Sequence, residues 1–357
     1  MNILAINPGS TSTKLALYDD AHELFAETLR HSDDDLAPYS ASPIWDQRPF
    51  RKRAIVDALS ERAIQLDDLD AVVARGGLLK PLSSGTYRVN EAMLRDLERA
   101  ERGEHASNLG APLAQELAQD AGEGCPSFIV DPVSVDEWPP VARLSGLAGV
   151  DRECLSHALN TKAVAKRFSA AQDQPYDELR LIVAHLGSGI SVSAHEGGRM
   201  VDVTNSREEG AFSTERAGSV PVMKLVDLCF SGEYTRDELE RMIFREGGLY
   251  SYLKTKDLQT ALDRADAGDD QARLVVDAMG YQIAKEIGAM ASVLAGQIDA
   301  VLITGGMAHA EPFIHDLRSR VDWIAPLEVY PGEDELRALA EGALRVLNNT
   351  ENAQVYE

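Results

Sequence analysis

Residues 6–29, INPGSTSTKLALYDDAHELFAETL, and residues 183–203, VAHLGSGISVSAHEGGRMVDV, share one shape. In each, an apolar run breaks at a glycine turn, resumes, turns again and resumes once more. That predicts three strands joined by tight turns. The two stretches lie about 180 residues apart, each opening one half of the chain. The likeness is a weak internal duplication, in shape more than in identity. Elsewhere strand and helix signals alternate, the pattern of an α/β protein. A duplicated α/β protein places its ligand between the halves, where loops at strand ends face each other.

Working outward, the first half predicts strands over Ile3–Ile6, Lys14–Tyr18 and Leu24–Leu29. Residues 31–53, with Pro38, Pro43 and Pro49, read as loop or irregular chain. A helix over Ala54–Arg62 and a buried strand over Ala71–Ala74 follow. Asn90 is placed to cap one helix and Pro112 to open another, ahead of a short strand Ser127–Val130. In the second half a helix over Ala158–Ala170 precedes strands Leu181–Ala184, Ile190–His195 and Arg199–Val203. Thr235 with Glu238 makes a capping box, and Gly247 marks where that helix should stop. A long helix over Gln271–Leu294, a strand Ala300–Thr304 and a last helix Asp334–Leu347 complete the reading.

The chain has 357 residues, enough for two domains of roughly 150 each. Hydrophobic content of 44% with 26% charged residues is that of a folded globular protein. Against 58 acidic side chains stand 35 basic ones, a net charge of −23, which excludes nucleic acid and anionic membrane as main partners. No stretch approaches the roughly 18 apolar residues of a membrane span. Cys125, Cys154 and Cys229 are odd in number and far apart, so a reduced, cytoplasmic chain is expected.

The turns carry the chemistry. Asn7–Ser12 is crowded with hydroxyls directly after a buried strand, and its N–H groups could cradle a phosphate with Lys14 as countercharge. An ordinary hairpin turn uses the same residues. His185–Gly189 is a second glycine turn at the matching place. Gly305-Gly306 would let a flat base or ribose approach the backbone, or is a simple strand-to-helix turn. Arg75 and Asp131 each end an apolar strand, and Arg216 lies in a polar loop. Phosphoryl transfer needs guanidinium groups on the migrating phosphoryl and a carboxylate to hold Mg²⁺ or orient an arginine. Structural ion pairs would use the same residues.

Eight segments then match a family in order and approximate spacing: INPGSTSTK, ARGGLLKP, IVDPVSVDE, SHALNTKAVA, AHLGSGISV, ERAG, LITGGMAH and YPGEDELRALAEGALRVL. The chain resembles butyrate kinases, in the acetate and propionate kinase branch of the actin-like ATPase superfamily. The resemblance implies two actin-like (ribonuclease H-like) α/β domains facing across a nucleotide-binding cleft. One would hold residues 1–150 with the C-terminal helix 334–357, the other residues 151–333. It implies an ATP-dependent kinase that converts butyrate reversibly to butyryl phosphate and ADP with Mg²⁺. Another short acid (isobutyrate, propionate, acetate) and a nucleotide-dependent switch on the same fold remain as alternatives. A homodimer or higher homo-oligomer is expected.

By position the resemblance assigns Asn7, Ser10, Ser12 and Lys14 to the first phosphate loop, with Asn7 and Glu335 near the metal. His185, Gly187 and Gly189 fall in the second loop, and Gly305 and Gly306 at the adenosine turn. Arg75, Asp131, His157 and Arg216 take catalytic roles, and Arg75 and His105 touch the acid substrate. Three departures separate the chain from acetate kinases. Arg75 stands where they carry histidine, with Val72 at their arginine slot; Ser188 replaces a loop asparagine; and Ala308-His309-Ala310 replaces glycine-glutamate-asparagine.

Overall fold

A computed structural model describes residues 1–357 in full. Its strands are β1 (Asn2–Pro8), β2 (Ser12–Asp19), β3 (His22–Arg30), β4 (Ala71–Arg75), β5 (Thr86–Arg88), β6 (Ser127–Val130), β7 (Arg180–Leu186), β8 (Ile190–Glu196), β9 (Arg199–Val203), β10 (Ala300–Gly305), β11 (Leu327–Pro331) and β12 (Gln354–Val355). They form two sheets, in two compact units: Met1–Asp136 with Asp334–Glu357, and Glu137–Glu333.

In the first unit the sheet runs β12-β5-β6-β4-β1-β2-β3. The strands β1, β2 and β3 form an antiparallel meander, whereas β1, β4 and β6 are parallel. Leu4, Ile6, Leu15, Leu17, Val72 and Ala74 make one apolar face. Helices Arg48–Ser60 and Gly110–Ala121 cover it with Ile55, Leu59, Leu113 and Leu117. The last helix, Glu335–Leu347, packs on β1, β4 and β6, and its buried face is Ala338, Leu339, Ala340, Gly342 and Ala343. Those small residues let it lie close to the sheet: a Cβ at Gly342 would stand 2.6 Å from a Val130 methyl.

The second unit repeats the plan. Its sheet runs β11-β10-β7-β8-β9, with β7–β9 an antiparallel meander and β10 and β11 parallel to β7. The long helix Asp270–Val293 and the helix Glu311–Val321 bury Ile283, Ile287, Phe313 and Leu317 against one face. Helix Ala158–Gln172 packs Val164, Ala165 and Phe168 on the other.

Three expectations are corrected. The helix expected from Ala54 begins at Arg48, because Pro49 lies in its first turn, where a missing N–H costs nothing. Burial of Ile55 and Leu59, roughly 1.5–3 kcal/mol each, outweighs its weak helical patterning. Gly247 does not stop the helix Arg236–Phe244; it caps the start of the next, Gly248–Leu253. The units divide at Asp136/Glu137 and not near residue 150. Glu137 is tied into the second unit: its carboxylate accepts from Lys162 Nζ at 2.6 Å and Met200 N at 2.8 Å. The short strands β5, β11 and β12 were not anticipated. No helix is long and apolar enough to cross a membrane.

Candidate active site

In the first unit the parallel strands β1, β4 and β6 end side by side, and register places Ile6 beside Ala74 and Arg75 beside Val130. Their C-terminal ends therefore present Asn7, Arg75 and Asp131 as neighbours, the usual ligand edge of such a sheet. Glu335, first residue of the last helix, reaches two of them. Its Oε2 accepts from Asn7 Nδ2 at 2.5 Å and its Oε1 pairs with Arg75 Nη1 at 2.8 Å. The helix dipole favours a carboxylate there. Asp131 is buried and held at φ 37°, a strained conformation for a residue with a Cβ, of the kind that collects at functional sites. Ser84 Oγ (2.6 Å) and Gly85 N (2.8 Å) both donate to its Oδ1. Its Oδ2 is left for another partner.

The turn between β1 and β2 is closed by Gly9 N–H donating to Ser12 O at 2.8 Å, and Ser10 and Thr11 stand exposed. Lys14 is exposed on β2, opposite Asn7 in the strand register. His105 caps the short turn Ala106–Leu109, with Nδ1 accepting from Ser107 N at 3.2 Å. The backbone just beyond, at Gly110, lies so close to the Arg75 carbonyl that a Cβ would collide with it.

In the second unit His185 is the last residue but one of β7 and is buried. The Asn160 amide donates Nδ2 to Glu333 O at 2.8 Å, so its Oδ1 accepts from His185 Nδ1 at 2.9 Å. That fixes the ring and turns Nε2 toward the Glu333 carboxylate, 3.5 Å away. The His157 ring stacks on His185 with centroids 3.9 Å apart, while its Nδ1 meets Ser191 Oγ at 2.9 Å. The turn Gly187–Gly189 leaves no room for a side chain, since a Cβ at Gly189 would stand 2.7 Å from Arg216 Nη1. The Arg216 guanidinium donates only to Ser206 O (3.0 Å) and Oγ (3.2 Å) and has no carboxylate partner. Burial pushes its guanidinium below its ordinary pKa. An uncompensated, half-buried guanidinium against a glycine turn is suited to an anion. Gly305 takes φ 94° and exchanges N–H···O bonds with Gly332 at 3.0 and 3.1 Å, and the space at Gly306 is open.

The structure thus brings Asn7, Arg75 and Glu335 into contact, stacks His157 on His185, and sets Gly189 against Arg216. His105 Nδ1 is engaged with Ser107, and Lys14 makes no ion pair with Glu335. Sequence reasoning missed Asn160 and Glu333, although both lie inside quoted segments. It also missed Arg51, which fell in the stretch 31–53 read as loop or irregular chain. A cavity of about 770 Å³ in the second unit is lined by Leu225, Leu239, Met242, Tyr252 and Leu274, and by Ala217, the residue after Arg216.

Mg²⁺ keeps several waters and takes one or two carboxylates plus substrate phosphates. Glu335 and the Asn7 carboxamide oxygen fit that donor set, and each Glu335 oxygen keeps a second lone pair beside its present bond. No group of three or more His, Cys, Asp or Glu side chains offers an all-protein metal site.

A family model for the acetokinase family matches residues 149–330. The fold is similar to that of an acetate kinase from Porphyromonas gingivalis, with TM-score 0.81 at 18% identity over 97% of this chain and 99% of that one. A propionate kinase from Francisella tularensis gives 0.75 at 17% identity, covering 95% and 98%. An acetate kinase from Entamoeba histolytica gives 0.76 at 14%, covering 96% and 98%. At such identities the likeness is one of fold, an α/β architecture.

Proposed function

The chain belongs to the acetokinase family, and from that premise we propose that it is a butyrate kinase, passing the ATP γ-phosphoryl group reversibly to the carboxylate of butyrate. The observation that carries the reading is the meeting of Asn7, Arg75 and Glu335 at parallel strand ends beside a hydroxyl-rich turn. In-line phosphoryl transfer asks little covalent work of a protein and much positioning. In this proposal the turns at Asn7–Ser12 and His185–Gly189 hold the phosphates through N–H and hydroxyl donors, with Lys14 as countercharge. Gly305 and Gly306 receive the adenosine. Arg75 orients the acid, with His105 beside it, and Arg216 holds charge on the migrating group. Asp131 orients the reacting groups through its open oxygen, and His157 donates to the phosphoryl. Mg²⁺, when bound at Asn7 and Glu335, neutralises phosphate charge. The three departures from acetate kinases, at Arg75, Ser188 and Ala308–Ala310, favour butyrate over acetate. A homodimer is proposed through the exposed apolar helix Val222–Cys229 and Phe230.

A panel of short acids with hydroxamate trapping of the acyl phosphate tests the substrate. Butyrate should give the highest kcat/KM. A clear preference for acetate overturns the substrate, and slow ATP hydrolysis without acyl hydroxamate favours a nucleotide switch. For Arg216→Ala a loss of at least about a hundredfold in kcat is expected with the fold intact. Retained turnover removes Arg216 from the mechanism.

A further inference from the structure

Arg51 lies at full burial in helix Arg48–Ser60 and has no carboxylate partner. Its guanidinium is spent on the turn between β1 and β2. Nη1 donates to Gly9 O (2.8 Å), Ser12 O (2.9 Å) and Thr13 Oγ1 (3.1 Å), and Nη2 to Ser10 O (3.0 Å). Gln47 Oε1 accepts from Nε (3.0 Å) and Nη2 (2.9 Å), completing the set. Thr13 Oγ1 in turn meets His31 Nε2 at 2.9 Å. All the acceptors are neutral, so the buried positive charge stays unneutralised within the protein. Burial lowers its pKa to about 10. Leaving a charge in that state costs free energy that a neutral brace of the same shape would avoid.

The geometry of the peptide unit says what is gained. A trans peptide is planar, with C=O and N–H pointing in opposite directions. Arg51 draws the carbonyls of Gly9 and Ser10 inward, so the N–H groups of Ser10 and Thr11 are turned outward. Both residues are exposed, and neither N–H has an acceptor in the protein. Consecutive outward N–H groups form an anion-binding concavity. A negative charge there would also find the uncompensated guanidinium on the far side of the turn.

We infer that Arg51 is a positioning residue for phosphate binding: it holds the Gly9–Ser12 turn with its N–H groups presented outward and supplies the charge that favours an anion on them. This rests on the reading of that turn as a phosphate loop. It predicts selective loss, of ATP affinity and not of adenosine affinity, because adenosine brings no phosphate to the turn.

The full-length protein and its Arg51→Met, Arg51→Lys and Ser12→Ala variants are compared by calorimetric titration with ATP and with adenosine, alongside thermal melts. Arg51→Met should weaken ATP binding about tenfold or more, while adenosine binding stays within about twofold. Arg51→Lys, with the charge kept and fewer donors, should lose less. If Arg51→Met does not fold, the lysine variant carries the same comparison. Equal losses for both ligands in a folded variant reduce Arg51 to a structural brace and overturn the inference. Loss of ATP affinity in Ser12→Ala but in neither Arg51 variant overturns the inference and spares the phosphate loop. Unchanged ATP affinity in all three overturns the loop reading and the inference with it.

Discussion

Glu335 is bonded twice at once, to Asn7 and to Arg75, and that double use is what a single substitution can separate. Glu335→Gln keeps the shape and an acceptor for Asn7 but removes the charge that pairs with Arg75 and would attract a divalent ion. Because Arg75 is partly exposed, at 24%, the pair itself stabilises the fold by no more than about 1 kcal/mol. The expected outcome is therefore functional: a rise of about tenfold in the Mg²⁺ concentration for half-maximal kcat, at nearly unchanged Tm. A Mg²⁺ titration of turnover checks it, and an unshifted midpoint removes Glu335 from the metal. At this scale the sequence was legible wherever a residue ended an apolar run. Asn7, Arg75, Asp131 and His185 could all be picked out as strand-end residues. Arg51 and Asn160 could not: Arg51 fell in a stretch read as loop, and a buried polar side chain such as Asn160 on a helix looks like a surface one until its partners are known.

Between elements, closeness decides. The last helix meets β6 through Gly342, and replacing it with alanine sets two effects against each other. Alanine is better than glycine in a helix interior by about 1 kcal/mol. Against that, its Cβ would lie 2.6 and 2.8 Å from the two Val130 methyls and 3.2 Å from Thr86 Oγ1, whose hydroxyl donates to Gly342 O at 3.1 Å. Valine has little rotamer freedom to retreat, and overpacking costs about 1–3 kcal/mol. Gly342→Ala should therefore destabilise by about 1 kcal/mol in urea unfolding, whereas the same change at solvent-open Gly288 should stabilise. The elements themselves were largely legible, since apolar periodicity and caps at Asn90 and Thr235 act within a few residues. The short strands β5, β11 and β12 were not, because their pairing partners lie far along the chain.

For the whole molecule, buried histidines set the acid limit. His195 is fully buried, within hydrogen-bond reach of Tyr176 Oη (2.6 Å) and Ser193 Oγ (2.8 Å), and desolvation holds its pKa well below the ordinary 6.5. His31 shifts the same way, by burial and then by Arg51. The unfolded chain then binds protons that the folded one refuses, so stability is unaffected above about pH 6.5 and falls as pH drops below it. The slope is up to about 1.4 kcal/mol per pH unit for each such group. Urea unfolding at pH 7.5 and 5.5 should show that loss, and His195→Gln should reduce it. An unchanged pH dependence in the variant contradicts it. Val222, Met223 and Phe230 are 72%, 68% and 86% exposed on one helix and its end, a patch that solvent does not favour. Under the proposed dimer, Met223→Glu should give monomers in sedimentation analysis. The net charge of −23 makes the attraction of anionic ligands a local matter, because it acts over only about 8 Å at physiological salt.

The sequence by itself determined the alternation of strands and helices, the duplicated strand–turn–strand shape and the strand ends on which chemistry could sit. These depend on hydrophobic period and turn residues within a short window. Only the tertiary structure decided that Glu335 reaches back some 330 residues to Asn7, that Arg216 fills the space left by Gly189, and that Arg51 braces the first turn from beneath. Such contacts depend on the closing of the sheet and the packing of helices upon it, where side chains distant in sequence compete for the same few ångströms.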